Sequence, residues 1–246
     1  MRRLLHLTHR HRAPSVNLAL GVVLAFIAGA INAGGFLLLQ RYTSHMTGFA
    51  SQLADGLALK DTALAWTAAG AICAFTAGAA LTAILVHLAR QRGARAVYAM
   101  PLMLEAALLI LFGLVGSQTL LVSNAYGLPG TVLLLSFIMG LQNAVGSKSS
   151  RGSIRTTHMT GNVTDLGMEL GKLLYRLRGS AAALSVSVDG GRLQRSASLL
   201  VAFVTGGTLG ALCFQTAGFI FVVPLATVLL ALAAAPLVRR SRRSGH

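Results

Sequence analysis

The chain has 246 residues, of which 54% are hydrophobic and only 11% are charged, and its formal net charge is +15. A soluble domain carries roughly a quarter charged residues, so this composition excludes an ordinary water-soluble globular protein. The positive charge would also suit a nucleic-acid partner, but the basic residues lie in the gaps between long apolar runs. There they fit topology determinants and contacts with anionic lipid, so we predict a protein of the lipid bilayer without a nucleic-acid partner.

Six apolar runs near or above 18 residues predict six membrane spans, because such a run crosses a hydrocarbon core roughly 30 Å thick. A basic leader precedes the first span, a basic tail follows the last, and a polar loop with a turn at Asp189-Gly190-Gly191 is predicted at 176–196. Cys73 and Cys213 fall inside apolar runs, which predicts neither a disulfide framework nor a cysteine metal site, and no cofactor is expected. The leader is 1–17, the tail is 239–246, and the spans are 18–39, 62–88, 96–115, 131–146, 197–214 and 219–238.

The positive charges are distributed unevenly between the two sides of such a six-span chain. Of the 21 lysines and arginines, 19 fall on the side of the two termini, and only Arg41 and Lys60 fall on the other. By the positive-inside rule, this bias places both termini in the cytoplasm.

The tetrapeptide His-Met-Thr-Gly occurs twice, at residues 45–48 and 158–161, and we call these segments the first and second signatures. An asparagine near the end of the preceding apolar run accompanies each copy, as Asn32 and Asn143. Because the tetrapeptide and the asparagine before it both recur, the sequence predicts an internal duplication. We therefore divide the chain into two halves of three spans each, 18–116 and 117–238.

Because each half crosses the membrane three times, the second half enters from the opposite side. The predicted fold is all-α, with six transmembrane helices in two inverted repeats and with broken or re-entrant signature segments. Transporters built in this way bind substrate near the midplane, between broken helix ends. Serine and threonine suit helix N-caps, and the exposed N–H groups at such helix starts favour an anion or a carbonyl oxygen.

The candidate substrate-binding residues follow from the two signatures and their polar neighbours. A histidine can bind substrate or relay protons near neutral pH, although a pair of packing histidines bonded to backbone carbonyls is the alternative. Arg155, with Lys148 and Arg151, indicates either an anion-attracting vestibule or simple positive-inside anchoring, and Asp165 is a candidate partner for these three cations. The predicted site comprises Asn32, His45, Thr47 and Gly48 in the first half and Asn143, Arg155, His158, Thr160, Gly161 and Asp165 in the second.

Residues 42–48, and residues 140–144 through 157–162, resemble the YoaK-like family of bacterial inner-membrane proteins over roughly residues 18–238. The resemblance implies a multi-pass protein of the bacterial inner membrane, whose family members are described as putative transporters. The loop at 176–196 looks longer and more basic than the family pattern leads us to expect.

The leading functional hypothesis is a secondary transporter or channel-like facilitator of a small solute or ion, an anion being one candidate. We expect no enzymatic activity, since no nucleophile elbow, P-loop or dinucleotide fingerprint is present. Two alternatives stay open: a membrane enzyme that uses His45 and His158 as acid/base groups or metal ligands, and a non-transporting partner subunit. Association into a homo-oligomer is also left open.

Overall fold

The computed structural model describes residues 14–40, 42–94, 96–121 and 127–234, so most of the predicted leader and the whole tail lie outside the described residues. All regular secondary structure within the described ranges is helical. A short 3-10 turn at Gly218–Phe221 separates the last two helices. The helices are α1 (Pro14–Leu39), α2 (Met46–Ala58), α3 (Thr62–Gln91), α4 (Ala99–Leu121), α5 (Gly127–Ser149), α6 (Met159–Arg176), α7 (Ala181–Leu184), α8 (Gly190–Ala217) and α9 (Val222–Ala234).

Five helical stretches of the described chain are long and apolar enough to cross a membrane, which confirms a membrane-type helical protein. The first four predicted spans each overlap one stretch. The predicted fifth span, and the sixth as far as residue 234, fall within the fifth stretch, which is 45 residues long, and the end of the sixth span at 235–238 lies outside the described residues. The stretches are Asn17–Leu37, Thr62–Gln91, Ala99–Ser117, Gly130–Ser149 and Gly190–Ala234.

The end of the predicted 176–196 loop differs from expectation, because Asp189 begins a helix instead of making a turn. Its side chain accepts a hydrogen bond from the backbone N–H of Arg192 at 2.9 Å and so caps α8. A carboxylate at the N-cap satisfies one of the N–H groups that the first helical turn leaves without a partner. The helix therefore starts seven residues before the predicted span, and Arg192 and Arg195 become helical.

Helix packing follows one pattern in both halves of the chain. Helix α1 packs chiefly against α8, and α3 chiefly against α5, so each of these pairs joins one half to the other. The signature helices lie outside these pairs, with α2 packed on α3 and α6 packed on α8. Helix α4 packs against α9 and α5. The largest buried cluster draws its side chains from α1, α3, α4, α5, α8 and α9 together.

The two helix pairs use the same close contact, which depends on a Phe-x-x-Gly sequence present in all four helices, at 26–29, 75–78, 137–140 and 203–206. A Cβ atom on Gly29 would overlap the carbonyl oxygen of Phe203, and one on Gly206 would overlap that of Phe26. In the other pair, Gly140 meets the carbonyl of Phe75 and Gly78 meets that of Phe137. Such glycines let helix backbones approach closely where lipid provides no hydrophobic driving force.

Candidate functional site

Each signature histidine stands at the N-cap of a signature helix, which corrects the expectation that serine or threonine would cap these helices. The carbonyl of His45 accepts from the N–H of Phe49 at 3.1 Å, and that of His158 accepts from Asn162 at 3.2 Å. Neither imidazole makes a capping hydrogen bond within the described chain. Both helices thus present their first-turn N–H groups, and the partial positive charge of the helix dipole, next to a histidine.

The glycine of each signature makes room for the histidine ring. A Cβ atom on Gly48 would overlap the imidazole of His45, and one on Gly161 would overlap that of His158. The ring in each case lies back over the third residue of its helix. The spacing of histidine and glycine in the tetrapeptide is therefore explained by contact between them.

The two asparagines hold the signature loops onto the ends of α1 and α5. In the first half, Ser44 Oγ donates to Asn32 Oδ1 at 3.0 Å. In the second half, Asn143 Nδ2 donates to Thr157 Oγ1 at 2.7 Å, and the backbone N–H of Thr157 donates to Asn143 Oδ1 at 3.2 Å. Ser44 and Thr157 each directly precede the signature histidine, so both asparagines position the histidines.

Both signatures line one cavity of about 420 Å³, which we call the central cavity. His45 and His158 are both part of its wall, as are Thr47 and Thr160. Asn143 and Arg155 line it as well. The structure therefore brings six of the predicted site residues to one cavity, although the two signatures lie more than 100 residues apart in the sequence.

A second cavity of about 600 Å³, which we call the α1 cavity, also has residues of both signature loops in its wall. Asn32 is part of its wall, and Ser44, His45, Thr157 and Met159 line both this cavity and the central one. Phe36, Leu37 and Tyr42 make much of the rest apolar. The signature loops thus line two cavities of different polarity.

A third cavity of about 530 Å³, which we call the basic cavity, is lined by three arginines together with His158. Arg155, His158 and Thr160 line both the basic and the central cavity. Asp165 and Gly161 are also here, and Gly48 lines none of these three cavities. The remaining arginines, Arg192 and Arg195, come from the first turns of α8 and were not predicted as site residues.

Asp165 pairs with Arg192, at 3.9 Å, and not with the predicted Lys148, Arg151 or Arg155. Arg192 also lies 3.8 Å from Asp189. Both are long contacts between partly exposed side chains, and such pairs bind weakly. The arginines of the basic cavity are therefore only partly neutralised. Asp189 Oδ1 accepts from the N–H of Arg192, and this bond lowers the pKa of the Asp189 carboxyl.

Glu169 anchors the loop between α6 and α8, and this loop leads into the helical turns that carry Arg192 and Arg195. It is buried on α6, where Lys172 Nζ donates to Oε1 at 2.8 Å and the backbone N–H of Asp189 donates to Oε2 at 2.9 Å. These hydrogen bonds, the one from Lys172 first, hold the pKa of Glu169 below its ordinary value. The sequence signal for this link was weak, because twenty residues separate Glu169 from Asp189 and the contact is to a backbone N–H.

The family comparison matches residues 20–235 to the model of the family described as protein of unknown function (DUF1275). The chain belongs to the DUF1275 family. DUF1275 is an uncharacterised family of membrane proteins, which agrees with the five apolar helical stretches. No curated protein and no solved structure matches this DUF1275 chain. Among its described residues, no three His, Cys, Asp or Glu side chains are grouped as ligands for a metal ion.

Proposed function

We propose that this DUF1275 protein is a secondary transporter or channel-like facilitator of a small solute, with the central cavity as its substrate site. The observation that carries the proposal is that His45 and His158 line the same cavity. Each presents a polar ring beside a helix start whose N–H groups can receive a carboxylate or another oxyanion. The protein has no enzymatic activity in this proposal, and its partners are the lipid bilayer and the transported solute.

The solute is a small anion. The basic cavity adjoins the central cavity through Arg155, His158 and Thr160, and it adds Arg192 and Arg195 to the wall. Clefts lined by one sign of charge raise the local concentration of oppositely charged ligands. In the first half, Tyr42 stands three residues before its signature histidine, where Arg155 stands in the second. The α1 cavity, which Tyr42 and Phe36 line, has no arginine among its described lining residues, so anion attraction is confined to one side.

The fold that we propose for this site has six spans in two inverted halves. The 45-residue stretch Gly190–Ala234 would be roughly 68 Å long as one helix, more than twice the hydrocarbon thickness, so two spans fit better than one. Gly218, with φ of 61° and ψ of −150°, supplies a reversal point in a backbone region that is essentially restricted to glycine. The reciprocal Phe-x-x-Gly contacts support a two-fold relation between the halves.

The same proposal places the protein in a bacterial inner membrane with both termini cytoplasmic, as the YoaK-like resemblance and the distribution of basic residues suggest. A labelling experiment with membrane-impermeant maleimide tests this arrangement in whole cells. Lys60→Cys and Ser185→Cys, made in a Cys73→Ser/Cys213→Ser background, should react from opposite sides. Labelling of both from the same side would rule out the inverted halves.

Flux into proteoliposomes tests the transport proposal directly. The probes are labelled phosphate, sulfate, acetate and chloride, with wild type compared against His45→Ala, His158→Ala and the double variant. His87→Ala is the matched control, because His87 lies outside the three cavities and contacts Lys148 at 3.4 Å. We expect uptake of at least one anion that the signature variants abolish and His87→Ala preserves. Uptake that persists in the double variant would remove the histidines from the mechanism.

A further inference from the structure

Glu105 is a fully buried carboxyl group within a candidate membrane span. Its side chain is 0% exposed on α4, six residues after Ala99, where the stretch Ala99–Ser117 begins. It is also the only ionisable side chain on that helix. Ionisable groups inside a bilayer are costly and tend to be functional, and the mechanism proposed above does not use this one.

The hydrogen bonds of Glu105 suit a neutral carboxylic acid. Gln142 Nε2 donates to Oε1 at 2.8 Å, whereas Oε2 is buried and has no hydrogen-bond partner among the described residues. A carboxylate would need further donors, because an isolated buried charge is far more costly than an unpaired neutral polar group.

The neighbouring helices provide no such compensation within the described chain. Helix α9 and the 3-10 turn, which pack on α4, carry no ionisable side chain. Helix α5 carries only Lys148, whose Nζ lies 3.4 Å from His87 Nε2 on α3. Helix α3 also carries Cys73 and Arg90, and no described cation forms an ion pair with Glu105.

A chain of polar side chains connects Glu105 to the second signature. Gln142, which donates to Glu105, also accepts from Thr156 Oγ1 at its own Oε1, at 3.2 Å. Thr156 Oγ1 lies 3.3 Å from Asn143 Oδ1 as well, and Asn143 holds Thr157, the residue before His158. A displacement of Gln142 would therefore act on the loop that positions His158.

The first half of the chain lacks this connection. Ile31, directly before Asn32, occupies the place that Gln142 has before Asn143. Thr43, directly before Ser44, corresponds to Thr156, and its buried Oγ1 has no hydrogen-bond partner among the described residues. The two halves share their helix packing without sharing this network, so packing alone does not account for it.

We infer that Glu105 is a proton-binding site which couples protonation to the position of the second signature. The inference rests on the proposed function and deepens it, because it names the proton as the coupling ion. With Oε2 protonated, Gln142 bridges Glu105 and Thr156. When the Oε2–H bond breaks, the proton passes to a water molecule and leaves a carboxylate. That carboxylate needs water or further donors at Oε2, and in this inference Gln142 shifts toward the new charge and releases Thr156.

Infrared difference spectroscopy of the full chain in nanodiscs tests the proton site without a transported solute. A pH step should change a carboxylic-acid C=O band in wild type, and this band should be absent in Glu105→Gln, which keeps the side-chain shape. Gln142→Leu should retain a band at a shifted frequency. A wild-type spectrum without any band that depends on Glu105 would overturn the inference.

A cysteine reporter tests the coupling. Ser153→Cys lies in the exposed loop before the second signature, and Ser185→Cys reports the effect of pH on thiol ionisation alone; both are made in a Cys73→Ser/Cys213→Ser background. The ratio of their maleimide labelling rates should change several-fold with pH in wild type and stay constant in Glu105→Gln and in Gln142→Leu. A labelling ratio that changes with pH in Glu105→Gln as it does in wild type would contradict the coupling. If wild type still takes up anions in that case, the transport proposal stands without the coupling.

Discussion

Asn143 and Thr157 are joined by two hydrogen bonds, one to the side chain and one to the backbone of Thr157, and these bonds fix the residue that precedes His158. In the first half, a single hydrogen bond joins Asn32 to Ser44. The asparagines that the sequence repeats before each signature are thus the anchors of the signature loops.

Removing these anchors should weaken the second loop more than the first. Asn143→Ala leaves the Thr157 N–H and hydroxyl without this partner, and we expect a loss of about 1–3 kcal/mol in the free energy of unfolding. Asn32→Ala, which removes a single bond, should cost less. Thermal unfolding in detergent, with His87→Ala as a control outside the loops, measures both. Equal losses in the two asparagine variants would contradict the difference seen in the hydrogen bonds.

A methyl group at the helix-pair glycines should disrupt the joining of the two halves. In Gly140→Ala the new Cβ overlaps the backbone carbonyl of Phe75, which no side-chain rotation can relieve. We expect a loss of at least about 1–3 kcal/mol, the usual cost of overpacking a core. Gly167→Ala on α6 is the matched control, because its Cβ meets nothing within 4 Å. The control should be neutral or more stable by roughly 0.5–1 kcal/mol, as expected for alanine in a helix.

The signature glycines should affect function more than folding. In Gly48→Ala the Cβ overlaps the imidazole of His45, and the ring can rotate away with little loss of stability. We expect an unfolding temperature near that of wild type and anion uptake reduced to the level of His45→Ala. In a His45→Ala background, Gly48→Ala should have no additional effect, since the two changes act through one contact. Full uptake by Gly48→Ala would show that the ring position is unimportant.

Acid should loosen the attachment between α6 and the start of α8. The pKa of Glu169 is lowered in the folded state from an ordinary value of 4.5, chiefly by the hydrogen bond from Lys172. A lowered pKa means that the stabilisation is present above the ordinary value and is lost as the pH falls through the folded value. Hydrogen exchange of residues 177–189, corrected for intrinsic rates, should therefore rise as the pH drops below about 4.5.

Glu169→Gln should show the faster exchange already at neutral pH, because the amide cannot replace both hydrogen bonds of the carboxylate. Asp55→Asn is the control, as Asp55 is an exposed acid on the other signature helix. An acid response of the same size in Glu169→Gln and in wild type would assign the effect to other groups.

The apolar composition and the repeated tetrapeptide predicted much of the fold and part of the site. Runs of apolar residues identify membrane helices reliably, because backbone polar groups cannot remain unpaired in lipid. The positions of Asn32 and Asn143 marked them as site residues, although their hydrogen bonds to Ser44 and Thr157 were not foreseen. The capping role of Asp189 was missed, because Asp-Gly-Gly is typical both of turns and of helix starts.

The sequence by itself determined that this is a helical membrane protein with a duplicated polar signature, since length, hydropathy and repetition are local properties of the chain. Only the tertiary structure decided that His45 and His158 share a cavity and that Arg192 and Arg195 stand beside His158. It also connected Glu105 to Thr156 through Gln142. These relationships depend on how helices distant in sequence approach each other, and that approach is set by glycines whose partners are backbone carbonyls, which carry no residue-specific signal.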